Sequence, residues 1–239
     1  MNVTSTNYQR HKLLIAGFLF IYTLSIFLPG AYSVDSWNQW KEVTSKHYDD
    51  WYGTGLATSW RFLWVLTGNY MCLFVAQMLL YWIFITLIFW EVPFKSPVYW
   101  LGLGAGLFFC LIPQYVMRDS LTVLAWGVAA LLLLYAGRSE THRRSLAIAG
   151  LLLLAYGVWI RINAFIAFLP LAYAGILLLS RRRIAPWKGM LLSGAACLLL
   201  MVTIQLFTYR VQKAERLYPD YKLKLLDLSG ISKLSGENC

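Results

Sequence analysis

The feature that most constrains this chain is a succession of long apolar runs separated by short polar stretches. A helix needs roughly 20 predominantly apolar residues to cross a bilayer, where every backbone group must be hydrogen-bonded within the protein. The pattern therefore predicts an all-α fold, a polytopic transmembrane helix bundle of about seven spans. The runs are Leu13–Tyr32, Tyr70–Trp90, Pro97–Met117, Ser120–Ala136, Leu146–Ile160, Ala164–Ser180 and Met190–Tyr209.

The composition supports this interpretation and excludes several classes of protein. Of the 239 residues, 59% are hydrophobic and 13% are charged, whereas a soluble domain carries about 25% charged and 45–50% apolar residues. A water-soluble enzyme and a disordered chain are therefore excluded. Seven spans would use about 140 residues, so no loop is long enough to form a catalytic domain with its own core. We expect a transmembrane module over residues 1–210, with an outward loop over 33–69, and a polar outward tail over 211–239.

The distribution of lysine and arginine predicts the orientation. The stretch from Leu146 to Ser180 would be about 52 Å long as one helix, against a hydrocarbon core of about 30 Å, so we expect a hairpin at Arg161. Basic residues then concentrate on one side, which is typical of the cytoplasmic face. We predict a bacterial inner-membrane protein with a cytoplasmic N-terminus, whose formal charge of +10 reflects topology and not nucleic-acid binding. The cytoplasmic set is Arg10, Lys12, Lys95, Arg138, Arg143, Arg144, Arg181, Arg182, Arg183 and Lys188.

The first outward loop carries a carboxylate directly after the first span. Trp37, Trp40 and Val43 recur at helical spacing and predict a short helix in the membrane interface, and residues 58–64 predict a second one. An aromatic belt that anchors the loop accounts for the tryptophans. It does not account for Asp35, for which two compatible interpretations remain. The side chain either caps the interfacial helix or is a reactive carboxylate at the mouth of the bundle.

Two further outward turns carry charge. Arg118 and Asp119 lie in the turn between the third and fourth spans, and Arg161, Ile162 and Asn163 lie between the fifth and sixth. The guanidinium of Arg161 either extends to the membrane surface or needs a carboxylate, backbone carbonyls or a phosphate as its partner. Because the planar arginine fork matches a pair of phosphate oxygens, these turns favour an anion site.

Metal binding has weaker support in the sequence. His47, Asp49 and Asp50 could hold a divalent cation, but without fixed ligand spacing a solvated loop explains them as well. The cysteines show no zinc spacing and are expected to be small buried apolar side chains. No residue is assigned as a metal ligand. Basic residues of the tail, such as Arg210 and Lys213, are expected to be solvated.

The external carboxylate after the first span, followed by charged outer turns, resembles the GT-C class of integral-membrane glycosyltransferases. The matching positions are Asp35 within Val34-Asp35-Ser36-Trp37, the pair Arg118-Asp119, and Arg161. The resemblance implies a sugar transferred from a polyprenyl-phosphate-type lipid donor to a glycan, lipid or protein acceptor at the outer face. It implies catalytic roles for Asp35 and Asp119, and substrate binding by Arg118 and Arg161. We also expect the neighbouring residues Trp37, Asn38 and Asn163 to bind substrate.

Two other functions remain open at this point. A carrier of lipid-linked sugars or anionic solutes would use the same arginines without breaking a bond, although transport predicts ionisable groups near the midplane and an internal repeat. A non-catalytic subunit of a larger membrane enzyme is the other alternative. Members of the GT-C class usually continue with more spans, so we expect a minimal, split or truncated member.

Overall fold

A computed structural model describes residues 3–50, 54–180 and 185–216. Over these ranges the chain is helical and forms no strand. The predicted basic cluster Arg181–Arg183 and the tail beyond residue 216 lie outside the described residues. The α-helices are α1 Val3–Phe27, α2 Val34–Ser45, α3 Thr54–Thr67, α4 Cys72–Ile88, α5 Pro97–Phe109, α6 Arg118–Arg138, α7 Arg143–Ile160, α8 Phe165–Leu179 and α9 Pro186–Leu206.

Several of these helices have the length and composition of membrane spans. Tyr8–Phe27 of α1, α6, α7 and the stretch Pro186–Val211 each qualify alone. Helices α3 and α4 qualify together, but they are bent by 106° at their junction. The described residues thus contain four or five candidate spans, against the seven that the sequence predicts. The difference arises because α4, α5 and α8 are only 17, 13 and 15 residues long.

Large apolar side chains on the outside of the bundle suit a lipid environment. Leu198 and Leu199 on α9 are 68% and 69% exposed, and Phe18 and Ile21 on α1 are exposed to a similar extent. In water such surfaces would form apolar patches far larger than a soluble monomer tolerates. The arrangement is that of a membrane-embedded protein.

The helix ends meet in two groups, which we name by their characteristic residues. The lysine end comprises Lys12, residues 89–96, Arg138 and Arg143, and it is connected by long-range contacts. For example, a guanidinium nitrogen of Arg143, at the start of α7, donates to the carbonyl of Leu177, near the end of α8, at 3.4 Å. Helices α7 and α8 therefore run antiparallel, as the predicted hairpin at Arg161 requires.

The opposite group is the aspartate end, which comprises residues 28–50, 110–119, 161–163 and 208–216. Two segments of the first loop are tied to distant parts of the chain here by single β-bridges, Ala31 with Tyr115 and Asp49 with Glu215. The first bridge explains why α5 ends at Phe109 and not at the predicted Met117. Backbone groups of residues 113–116 bond to Ala31 and to the side chain of Gln77, and do not continue the helix.

Helix α3 lies across the aspartate end because of two glycines. Gly68 adopts a φ of +67° and its N–H bonds to the carbonyl of Trp64, which ends α3 and turns the chain into α4. Gly55 lies against the backbone of α7, where a Cβ would come within 2.3 Å of the Trp159 carbonyl oxygen. The close approach needs glycine and fixes α3 against the end of α7.

Candidate functional site

The charged turn that opens α6 meets the turn that ends α7. Asp119 lies in the first turn of α6, where a carboxylate is favoured by the helix dipole. Its Oδ1 forms an ion pair with Nη1 of Arg161, and Nε of Arg118 lies 3.8 Å from the same oxygen. Two guanidinium groups thus surround one carboxylate. All three side chains stay accessible, with exposures of 55% for Asp119, 41% for Arg161 and 33% for Arg118.

The local backbone explains the position of Arg161. Helix α7 ends at Ile160, Arg161 adopts an extended conformation, and a single 3-10 turn from Ile162 to Ala164 leads into α8. The break brings the guanidinium back over the start of α6. Of the partners that the sequence left open for Arg161, the structure supplies the carboxylate of Asp119. Asn163 lies in the 3-10 turn and is exposed to solvent.

Asp35 does not cap α2, which corrects one of its two predicted roles. Ser33 is the N-cap: its hydroxyl accepts from the backbone N–H of Ser36, and the Ser36 side chain accepts in return from the N–H of Ser33. Asp35 is an exposed residue of the first turn of α2. The cap was one of two interpretations that the sequence left open for Asp35, because aspartate caps well, but a serine two residues earlier caps equally well.

Backbone contacts bring the region of Asp35 to the region of Arg118. The N–H of Val116 donates to the carbonyl of Ala31 at 3.0 Å, and the Ser36 hydroxyl donates to the carbonyl of Val116. Asp35 is next in sequence to Ser36, which bonds to Val116, and Val116 lies two residues before Arg118. The four charged residues predicted for the site, Asp35, Arg118, Asp119 and Arg161, therefore lie at the same end of the bundle.

The aromatic residues of α2 divide between its two faces. Trp40 packs against Trp60 and Trp64, with ring centroids 5.0 and 5.4 Å apart, whereas Trp37 is 53% exposed. The predicted spacing of Trp37, Trp40 and Val43 does not describe the buried face. That face is largely polar, and Asn38 next to it is half-buried. The buried residues of α2 are Ser36, Gln39, Glu42 and Val43.

Glu42 is a functional candidate that sequence reasoning missed. The residue is 6% exposed, and its Oε2 has no hydrogen-bond partner. Burial, together with the nearby Asp49 carboxylate, raises the pKa of its carboxyl group to about 8. Ser36, Gln39 and Glu42 follow one another at intervals of three residues. This helical spacing is the signal that could have placed Glu42 on the buried face.

Two of the residues that were considered as cation ligands contact other groups. Nε2 of His47 lies 3.2 Å from a carboxylate oxygen of Glu215, and the Tyr209 hydroxyl donates to Asp50 at 3.1 Å. Among the described residues, no group of three or more His, Cys, Asp or Glu side chains could hold a metal ion. These contacts attach Tyr209 and Glu215, at the end of the described chain, to the first loop.

A large cavity lies at the other end of the molecule. It measures about 950 Å³ and is bounded by residues of the lysine end, among them Lys12, Trp90 and Arg138. The predicted carboxylates of the aspartate end do not line it. In comparisons with known proteins, no family model, no curated protein and no solved structure matches this chain.

Proposed function

We propose that this protein transfers a sugar from a polyprenyl-phosphate-type lipid donor to an acceptor hydroxyl at the outer face of a membrane. The observation that carries the proposal is the Asp119–Arg161 ion pair with Arg118 beside it. Two accessible guanidinium groups around one carboxylate form a site that an incoming phosphate can enter, because each arginine can exchange a carboxylate oxygen for a phosphate oxygen.

Each residue of the site has a role in the proposed reaction. The bond between the sugar carbon and the donor phosphate oxygen breaks, and the phosphate leaves with the electron pair. Arg118 and Arg161 stabilise the charge that develops on it. A bond forms between that carbon and the acceptor oxygen, whose proton passes to Asp35 as general base. Asp119 positions Arg161, while Trp37, Asn38 and Asn163 contact the sugar or acceptor.

The proposal includes a topology of seven crossings made by α1 and α4–α9. The short helices α5 and α8 support this arrangement because each runs between the lysine end and the aspartate end. The lysine end would face the cytoplasm of a bacterial inner membrane, with the N-terminus, since basic loops favour that side. The aspartate end then faces outward, where lipid-linked sugars are used.

The test is transfer of a labelled sugar from a polyprenyl-phosphate donor by purified full-length protein. We expect Asp35→Asn to lower the turnover by about 10²–10⁴-fold, which is the usual contribution of a general base. Glu140→Gln, an exposed carboxylate at the lysine end, is the matched control and should keep full activity. Unchanged turnover in Asp35→Asn would remove that residue from the mechanism. Donor binding by the wild-type protein without any cleavage would favour a carrier instead.

A further inference from the structure

The cavity at the lysine end lies in the gap between α1 and α6. Tyr8 and Lys12 of α1 form one wall, Leu132 and Arg138 of α6 form another, and Trp90 lies just beyond the end of α4. Its volume of about 950 Å³ is at the upper end of the range of roughly 300–1,000 Å³ found for ligand sites. The cavity is large enough for a headgroup together with part of a hydrocarbon chain.

The charged groups that line this cavity are mainly basic. Lys12, Lys95 and Arg138 oppose a single carboxylate, Glu91, which pairs with Arg138 at 2.5 Å. Lys12 is 5% exposed, and its ammonium donates to the carbonyls of Phe89, Trp90 and Val92. Among the described residues, none of the ion pairs includes Lys12. The cavity therefore contains a buried cation that no carboxylate of the described chain neutralises.

Apolar side chains also line the cavity, next to polar ones such as Gln9, Ser139 and His142. The apolar part of the lining includes Leu87, Leu132 and Leu146, and the ring of Tyr135 adds to it. The hydroxyl of Tyr135 donates to the carbonyl of Leu87 at 2.7 Å. Arg138 is the last residue of α6, a candidate membrane span. The basic groups thus lie where a span ends, and the leucines lie on the membrane side of them.

We propose that this cavity binds an anionic phospholipid from the surrounding leaflet. Its phosphate lies between Lys95 and Arg138 above the fixed charge of Lys12, and its upper acyl chain lies against the leucines. Basic recesses between spans are suited to acidic headgroups because their lysine and arginine side chains attract anionic lipid from the leaflet. A soluble phosphate would use the basic groups but leave the apolar wall uncovered.

The experiment measures lipid retained by delipidated full-length protein in native mass spectrometry. The probes are phosphatidylglycerol and phosphatidylcholine with identical acyl chains. The test variant is Lys95→Gln with Arg138→Gln. The matched control is Arg144→Gln with Lys188→Gln, which removes the same charge from exposed residues that do not line the cavity. We expect at least a tenfold weaker retention of phosphatidylglycerol in the test variant only, since each basic group contributes measurably to anionic-lipid binding.

Three outcomes would overturn the proposal. Equal losses in the test and control variants would mean that general surface charge attracts the lipid. Equal retention of phosphatidylcholine and phosphatidylglycerol by the wild-type protein would exclude recognition of the negative charge. Displacement of phosphatidylglycerol by glycerol 3-phosphate at the same concentration would show that the cavity binds a soluble anion and not a lipid.

Discussion

The lysine end holds its buried charge with backbone carbonyls, whereas the aspartate end holds its arginines with a carboxylate. Lys12 donates to three carbonyls that follow α4 and is almost fully buried. Arg161 pairs with Asp119, and both side chains are partly exposed. A cation that satisfies a helix terminus cannot leave without exposing that terminus. An accessible ion pair contributes little to stability and can exchange partners with a ligand, so we expect stability to depend on Lys12 and activity on Asp119.

The largest expected effect is on activity at the aspartate end. Asp119→Asn removes the charge that positions Arg161 and should lower sugar transfer by about 100-fold, with a change in the free energy of unfolding below about 1 kcal/mol. Glu91→Gln removes the equivalent partner of Arg138 at the lysine end and should change neither quantity strongly. Similar losses of activity in both variants would contradict the distinction between the ends.

The second effect is on stability at the lysine end. Lys12→Met leaves three carbonyls without their charged donor and should lower the free energy of unfolding by about 3 kcal/mol. The measurement is denaturation in mild detergent. Lys95→Met replaces an exposed lysine of the same end and serves as the control. A loss as large in Lys95→Met would show that net charge at this end matters, and not the carbonyl contacts of Lys12.

A third effect distinguishes the ends by pH. Burial and the nearby Asp49 carboxylate raise the pKa of Glu42 from 4.5 to about 8. Between these pH values the folded state therefore keeps a proton that the unfolded state has already released. The stabilising contribution is complete below about pH 4.5 and decreases as the pH rises towards 8. We expect the free energy of unfolding of the wild-type protein to fall by on the order of 2 kcal/mol between pH 5.5 and pH 8. In Glu42→Gln this fall should be clearly smaller, whereas Glu140→Gln should show the same fall as the wild type.

The smallest effect concerns the pair His47 and Glu215. Both side chains are exposed, so Glu215→Gln should change the free energy of unfolding by less than about 0.5 kcal/mol. The tail segment should stay docked because backbone bonds join Asp50 and Tyr48 to Glu215. Hydrogen exchange at the amide of Glu215 would check this, and rapid exchange in the variant would assign the docking to the side chains.

The helices could be predicted from the sequence more readily than the contacts of the site. Apolar runs predicted α6 within two residues at each end, and the interruption at Arg161 predicted the turn after α7. The sequence did not reveal that Ser33 would cap α2, since serine and aspartate two residues apart are both good caps. It overestimated the length of α5, because Gln114 and Val116 pair with the backbone of Ala31 and do not continue the helix.

By itself, the sequence determined that this chain is helical and embedded in a membrane, because apolar runs of span length are a local property that each segment carries alone. Tertiary structure alone decided that Asp119 meets Arg161, that Glu42 is buried and that Lys12 closes the end of α4. These contacts join residues far apart in the chain. The energies of these contacts depend on which helix ends meet and on how far the side chains are buried from water. A local sequence pattern encodes neither of these.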